Sequence, residues 1–245
     1  MKAIVNAGGK GTRAWPLSVF VPKSMMPIEG KPLLEHIVNY LNKFNEITEI
    51  IIIYDESKLG EQVPNFFDGK SYRTKLTFRK DKLRGTGGAL LECAEDLKNE
   101  DDFILWFSDN LSNLDVQGMI NQFRNSGCIG CIATRRKKPE ETGFVKIDNS
   151  NKILQFIEKP ISDLQQPEAL GIYMFKTDII KKIQERATDE EINLSFDIMQ
   201  KLPSGSLLSY DIGNSVWIDI EGPTKIMRNT ALIQNVLADT YDKNN

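Results

Sequence analysis

The segment Glu49-Ile50-Ile51-Ile52-Ile53-Tyr54 constrains the fold more than any other part of the chain. Four consecutive isoleucines leave no polar face for a strand to turn toward water. Such a run belongs in the centre of a parallel sheet covered on both faces, because a half-solvated strand alternates apolar and polar residues. Lys2-Ala3-Ile4-Val5-Asn6 and Phe103-Ile104-Leu105-Trp106-Phe107 read as strands too, the latter buried and ending at Ser108-Asp109-Asn110. Between them, residues 32–44 and 88–97 have helical spacing, residues 59–67 are read as helical despite Pro64, and residues 75–78 as a short strand. This alternation predicts an α/β fold with a mostly parallel sheet covered by helices. Ligands in such sheets bind beyond the carboxyl ends of the strands, which draws attention to Asp109.

The second half reads differently. Residues 127–133 suggest a buried strand, and short strands are expected at 144–147, 153–157, 171–175, 207–210 and 216–218, with one helix over 177–186. Pro223 opens an amphipathic helix to about residue 239. This half is expected to extend the sheet in mixed or antiparallel fashion and to build a second wall of the cleft. A single domain over residues 1–241 follows, with a frayed tail at 242–245.

Composition removes several classes of function. A net charge of -3 offers no basic excess for nucleic acid or membrane surfaces. Arg135-Arg136-Lys137-Lys138 is the one basic cluster and reads as a solvated loop. No apolar run reaches the roughly 20 residues of a membrane helix, and the start of the chain is too quickly glycine-rich for a signal peptide, so a cytoplasmic location is expected. Cys128 and Cys131 would point to opposite faces of a strand, which suits neither a shared metal nor a disulfide. His36 is the sole histidine and sits in an apolar helical run, where a structural role is expected.

The strongest chemical signal is Gly8-Gly9-Lys10-Gly11-Thr12-Arg13, directly after the first strand. Glycines let backbone N–H groups crowd around phosphate oxygens, and Arg13 and Lys23 add positive charge. Gly9-Lys10-Gly11-Thr12-Arg13-Ala14 formally matches a dinucleotide fingerprint, but Pro16 and the long loop to Pro32 prevent a helix from opening at once. A Walker-A sequence is absent.

The loop, with Pro22-Lys23 and then Pro27-Ile28-Glu29-Gly30-Lys31-Pro32-Leu33-Leu34-Glu35-His36, resembles the sugar-1-phosphate nucleotidyltransferases of the nucleotide-diphosphosugar transferase fold. The resemblance continues in order through Gly85-Thr86-Gly87-Gly88-Ala89-Leu90, Ser108-Asp109-Asn110, Phe156-Ile157-Glu158-Lys159-Pro160, Ser195-Phe196-Asp197 and Trp217-Ile218-Asp219-Ile220. It implies a three-layer α/β/α sandwich, Rossmann-like, with a mostly parallel central mixed sheet. Residues 1–135 would form the nucleotide-binding half and residues 136–241 the sugar-phosphate-binding half. The implied partners are a nucleoside triphosphate and a sugar 1-phosphate, with no nucleic acid or membrane partner and homo-oligomerisation left open.

By that resemblance, Gly8, Gly9, Gly11, Thr12 and Arg13 wrap the triphosphate, with Arg13 and Lys23 on its phosphates. Gly85, Thr86 and Gly88 belong to a base-contacting loop. Asp109 and Asp219 are the Mg²⁺ ligands, and Arg13, Lys23 and Asp109 form the catalytic set. Glu158 would accept hydrogen bonds from sugar hydroxyls, Lys159 would meet the sugar phosphate, and Gly143 would offer backbone contacts. Taken alone, Asp109 also reads as a turn residue or as the cap of a helix over 111–119. Asp55, Asp81, Asp115 and Asp197 read as structural or surface acids.

Three positions depart from the family pattern. Asn6 replaces an aliphatic residue, Ser108 a common glycine, and Ala169-Leu170-Gly171 a frequent Asn-Ala-Gly. The Pro22–Pro27 and Gly85–Gly88 segments look more like guanylyl-type than thymidylyl-type members, which leans the reading weakly to GTP with a mannose- or heptose-like phosphate; the closest look is to mannose-1-phosphate guanylyltransferases without the C-terminal β-helix. Thymidylyl, uridylyl or cytidylyl transfer to glucose 1-phosphate or another sugar 1-phosphate is the alternative, and a non-catalytic nucleotide-sugar-binding regulatory relative is a further one.

Overall fold

β1 (Lys2–Asn6) is buried from Ala3 onward and forms the centre of the structure, a computed structural model that describes residues 1–9, 14–15, 17–186 and 191–241. The tail 242–245 lies outside the described residues. β2 (Pro27–Ile28) and β3 (Lys31–Pro32) form a hairpin that turns through Glu29 and Gly30 at positive φ, 45° and 79°. Such a two-residue turn matches the twist of its strands. Pro32 then enters α1 (Leu33–Leu41) in an extended conformation.

β4 (Glu49–Asp55) carries the isoleucine run, with Ile50, Ile51, Ile52 and Ile53 all 0% exposed, as a doubly covered strand requires. α2 (Gln62–Phe67) is shorter than expected, and Pro64 falls in its first turn, where a missing N–H costs nothing. β5 (Lys75–Asp81) runs three residues beyond the expected end. The single helix expected over 88–97 is two, α3 (Gly85–Leu91) and α4 (Ala94–Leu97), because the backbone leaves helical geometry at Cys93.

β6 (Asp102–Phe107) leads into β7 (Asn110–Ser112) and α5 (Val116–Arg124). The Asp115 carboxylate caps α5 by accepting from Gly118 N at 2.9 Å, so Leu111 and Ser112 belong to a strand rather than to a helix capped by Asp109. β8 (Gly130–Pro139), β9 (Phe144–Ile147), β10 (Ile153–Ile157) and β11 (Ile161–Lys176) follow, then α6 (Asp178–Gln184). β12 (Leu207–Asp211), β13 (Trp217–Asp219), α7 (Pro223–Arg228) and α8 (Thr230–Tyr241) complete the chain, with the expected C-terminal helix divided in two.

The main sheet has seven strands in the order β12-β8-β11-β6-β1-β4-β5. All neighbours are parallel except that β11 runs antiparallel to both β6 and β8. One face packs Ala3, Val5 and Ile52 beneath Leu34 and Ile37 of α1 and Val236 of α8. The other packs Ile4, Ile51 and Phe103 beneath Leu90 of α3 and Ile179 and Ile183 of α6. A mixed sheet between two helical layers is therefore the architecture.

Two expectations are corrected. Residues 135–138 are not a loop but part of β8, and Arg135 is ion-paired to Glu168 (2.6 Å) on β11. β8 also begins at Gly130, so Cys128 precedes the strand; Cys131 lies within it, and burial pushes its thiol up to about 12. His36 is buried and structural: Nε2 donates to the Ile28 carbonyl at 2.8 Å, which leaves Nδ1 to accept from the Tyr241 hydroxyl at 2.8 Å.

Candidate active site

The cleft is built at the carboxyl ends of β1 and β6. Asn6 and Phe107 are register partners, and Ser108 N donates to Asn6 O at 3.0 Å, so the loops after both strands leave the sheet side by side. Asn6 is buried and its side-chain Oδ1 accepts from Gly8 N at 3.2 Å. This polar departure from an aliphatic residue thus orients the glycine loop. Gly9 has φ of 118°, a conformation that excludes most other residues. Gly11, Thr12 and Arg13 lie outside the described residues.

Lys23 occupies a short helical turn, Lys23–Met25, and its Nζ meets Asp109 Oδ2 at 2.8 Å. Together with Gly9 and Pro22 it lines a small cavity of about 40 Å³. The pairing of β7 with β13 aligns Asn110 with Asp219, and Ile220 N donates to Asp109 O at 2.7 Å. Two segments more than a hundred residues apart in sequence are thereby fixed so that Asp109 and Asp219 occupy neighbouring rungs.

Asn110 holds this junction together. Its Nδ2 donates to Asp109 Oδ1 (2.8 Å) and to Phe107 O (3.0 Å), and its Oδ1 accepts from Trp217 Nε1 (3.0 Å). The indole N–H can only donate, so it fixes which way the amide points. Gly171 stands against the same amide: a Cβ there would lie 2.2 Å from Asn110 Nδ2. Arg135 stacks its guanidinium 4.7 Å from the Trp217 ring centroid while pairing with Glu168. None of Asn110, Arg135, Glu168 and Trp217 was a candidate from sequence. The Asp-Asn sequence was the available signal for Asn110; the Arg135 contacts are made across strands and left none.

A second cavity, of about 280 Å³, opens on the other side of the glycine loop and is lined by Asn6, Gly8, Gly9, Asp81, Leu83, Gly85, Thr86 and Glu191. Gly87 N donates to Ile192 O and Ile192 N to Arg84 O, both at 2.8 Å, while Thr86 Oγ1 accepts from Leu194 N at 2.9 Å. These bonds clamp the start of α3. Gly88 lies one turn further on, packed against the Arg84 side chain and away from the cavity lining. Asp81, read from sequence as a structural or surface acid, is 6% exposed and lines this cavity.

Gly143 and Glu158 meet at the base of the β9–β10 hairpin, where a Cβ on Gly143 would come 2.9 Å from Glu158 Oε2. Lys159 follows at φ 45° and is exposed. Glu141 pairs with Arg228 at 2.9 Å and with Lys225, both on α7, which begins four residues after Asp219. These ion pairs anchor the hairpin base beside the end of β13.

The donor set suits Mg²⁺. Asp109 and Asp219 offer hard carboxylate oxygens, and no group of three or more His, Cys, Asp or Glu side chains with metal-binding geometry occurs among the described residues. Mg²⁺ characteristically takes one or two carboxylates and completes its shell with substrate phosphates and water. A cation, the Lys23 ammonium, rests against Asp109 Oδ2.

Residues 2–234 match the sequence profile of the family described as nucleotidyl transferase. The chain belongs to this family. A UTP–glucose-1-phosphate uridylyltransferase of Synechocystis is 30% identical over 90% of this chain and 60% of its own length. A candidate mannose-1-phosphate guanyltransferase of Sulfolobus acidocaldarius is 26% identical over 93% of this chain and 62% of its own. The chain thus spans about three fifths of the length of the curated relatives it matches. Among solved structures, a candidate glucose-1-phosphate thymidylyltransferase of Bacillus anthracis, in complex with sucrose, superposes with a TM-score of 0.75 at 26% identity, over 96% of both chains. No helix among the described residues is long and apolar enough to cross a membrane.

Proposed function

We propose that this nucleotidyl transferase family member joins a nucleoside triphosphate to a sugar 1-phosphate, releasing pyrophosphate and forming a nucleoside-diphosphate sugar. The observation that carries the reading is that Lys23 lines a cavity with Gly9 of the glycine loop and pairs with Asp109, whose neighbour Asn110 is the register partner of Asp219. An oxygen of the sugar phosphate attacks the α-phosphorus in line, the bond from that phosphorus to the bridging oxygen of the β-phosphate breaks, and pyrophosphate leaves with the electron pair. The attacking oxygen is anionic at neutral pH, so no general base is needed. The task is to bring anions together, which alignment and charge neutralisation accomplish.

In this reading the backbone amides of the glycine loop receive the phosphates, and Arg13 and Lys23 offset their charge. Asp109 and Asp219 would hold Mg²⁺, which supplies charge neutralisation at the reacting phosphates. Gly143, Glu158 and Lys159 receive the sugar phosphate, Glu158 as acceptor for hydroxyls and Lys159 as counter-ion. A cytoplasmic location fits these substrates.

The finer reading is GTP with a mannose- or heptose-like 1-phosphate. It rests on the guanylyl-type look of the Pro22–Pro27 and Gly85–Gly88 segments, and the guanyltransferase relative supports it. The uridylyltransferase relative supports UTP with glucose 1-phosphate as the competitor. Pyrophosphate release from a matrix of triphosphates and sugar 1-phosphates with Mg²⁺ tests both levels. Release with GTP and a mannose- or heptose-type phosphate is the expected result; silence across the whole matrix would overturn the reading.

A further inference from the structure

We infer that the β9–β10 hairpin is an arm for self-association, and that its apolar face is covered in solution by the same face of a second copy of this chain. The inference is independent of the proposed transfer reaction.

The hairpin continues the β8–β11 ladder past its last pair: Ile161 is the register partner of Pro139, and Glu140 N donates to Pro160 O at 2.9 Å. Beyond that bond, among the described residues, β9 and β10 pair only with each other. Opposed residues on antiparallel strands share a face, and successive residues along a strand alternate between faces. Val145 with Phe156 and Ile147 with Ile153 therefore form one face. Lys146 with Gln155 falls on the other, next to Phe144 with Ile157 nearer the body. One face is thus wholly apolar, while the other carries a polar pair. This is the pattern of an antiparallel strand pair with one wet side and one dry side.

Among the described residues the dry side is left open. Val145, Ile147, Ile153 and Phe156 are 49%, 50%, 62% and 62% exposed, although two strands alone are at best marginally stable in water. Leu154, in the irregularity between Ile153 and Gln155, and Ile161 are exposed as well. Together these side chains leave on the order of 700 Å² of apolar surface in water, close to the about 800 Å² that each partner buries in a standard-size interface. A patch of that extent marks an interaction site. The charges fit a second copy as its occupant. Lys152 stands at the tip of the hairpin, Glu140 and Glu158 at its base. Two arms laid face to face across a two-fold axis run in opposite directions, which brings each tip lysine toward the base glutamates of the other copy.

Sedimentation equilibrium of the whole chain tests this. The wild type is expected to dimerise with a Kd of about 10 µM or tighter, the range of interfaces of this size. Ile153→Lys places a charge on the dry side, and Gln155→Lys places the same charge on the wet side of the same strand. The first is expected to weaken dimerisation by at least about 100-fold, because the two-fold axis buries the added ammonium twice. The second is expected to change it by less than about threefold, as a charge left in solvent does. Circular dichroism checks that each variant is folded; should Ile153→Lys misfold, Ile147→Lys, its register partner on the same face, takes its place. A wild type that stays monomeric at roughly 100 µM, weaker than interfaces of this size, would overturn the inference. So would a dimer that the two variants weaken equally, or that neither weakens.

Discussion

Lys23 Nζ sits 2.8 Å from Asp109 Oδ2, so the carboxylate expected to hold a divalent ion is paired with an ammonium. An incoming triphosphate would draw Lys23 toward its own oxygens and leave Asp109 to a metal. Nucleotide and metal should then bind cooperatively. Lys23→Met, which removes the competing cation and keeps an unbranched side chain of nearly the same length, is predicted to bind Mn²⁺ alone about tenfold more tightly, the scale of one nearby charge in a partly solvated setting. Electron paramagnetic resonance of free Mn²⁺ measures this without turnover. Unchanged or weaker binding would separate Lys23 from the metal site. In the transfer assay, Lys23→Ala and Asp109→Ala should each reduce turnover by roughly 10²–10³, and near-normal rates would remove them from the chemistry.

Trp217 acts at one remove. Its indole N–H fixes the Asn110 amide, and that amide in turn donates to Asp109 Oδ1. Trp217→Phe keeps an aromatic face for Arg135 while removing the N–H donor together with part of the indole. The predicted result is a kcat about tenfold lower and a higher Mg²⁺ concentration for half-maximal rate, with the KM for nucleotide changed less than about twofold, the energy scale of one hydrogen bond. A merely structural tryptophan would lower the Tm and leave the Mg²⁺ dependence where it was.

The parts of this fold that were legible in the sequence are those in which local pattern and tertiary position agree. The isoleucines of β4 could be placed because a strand buried on both faces has no polar alternation to hide it. β11 shows the opposite case. Its last residues, 171–175, read as a strand, but Ile161 to Glu168 are mostly polar or exposed, and Pro167 falls where the pairing with β8 is interrupted. Arg135 reads as part of a solvated loop because charge clusters usually lie in one; what holds it is Glu168 and the ring of Trp217, both distant in sequence. Asp81 is the structural acid it reads as, accepting from Leu83 N at 2.8 Å in the turn after β5; its place on a cavity wall depends on the packing of Gly8 against it, which local sequence does not report.

Gly171 is where the family's Asn-Ala-Gly pattern survives in its final residue, and the structure gives the steric reason. A methyl group at this position would overlap Asn110 Nδ2 at 2.2 Å. Gly171→Ala is predicted to destabilise the protein by about 1–3 kcal/mol, the usual cost of forcing atoms into a packed site. It should also reduce turnover through displacement of Asn110 from Asp109. Denaturant melts and the transfer assay read the two effects. A stable variant with normal turnover would show that the strand yields without moving the amide.

Glu49 supplies a prediction for pH. Burial works against its ionised form, but hydrogen bonds from Lys75, Thr77 and Lys2 outweigh it and hold the carboxyl at about 2, against an ordinary 4.5. Lys2 and Lys75 approach its two oxygens at 2.9 and 2.8 Å. The folded state therefore binds a proton less readily than the unfolded chain. A group depressed in this way contributes stability that is complete above the unfolded value and disappears as the pH falls through the folded one. Glu49→Gln should cost about 2 kcal/mol at pH 7, the scale of charged hydrogen bonds at a buried site. The gap between wild type and variant should hold down to about pH 4.5 and then narrow toward pH 2. Urea titrations at pH 7, 4.5 and 3 follow it directly. A gap that stays constant through acid would mean that the Lys2 and Lys75 contacts stabilise Glu49 by shape rather than by charge.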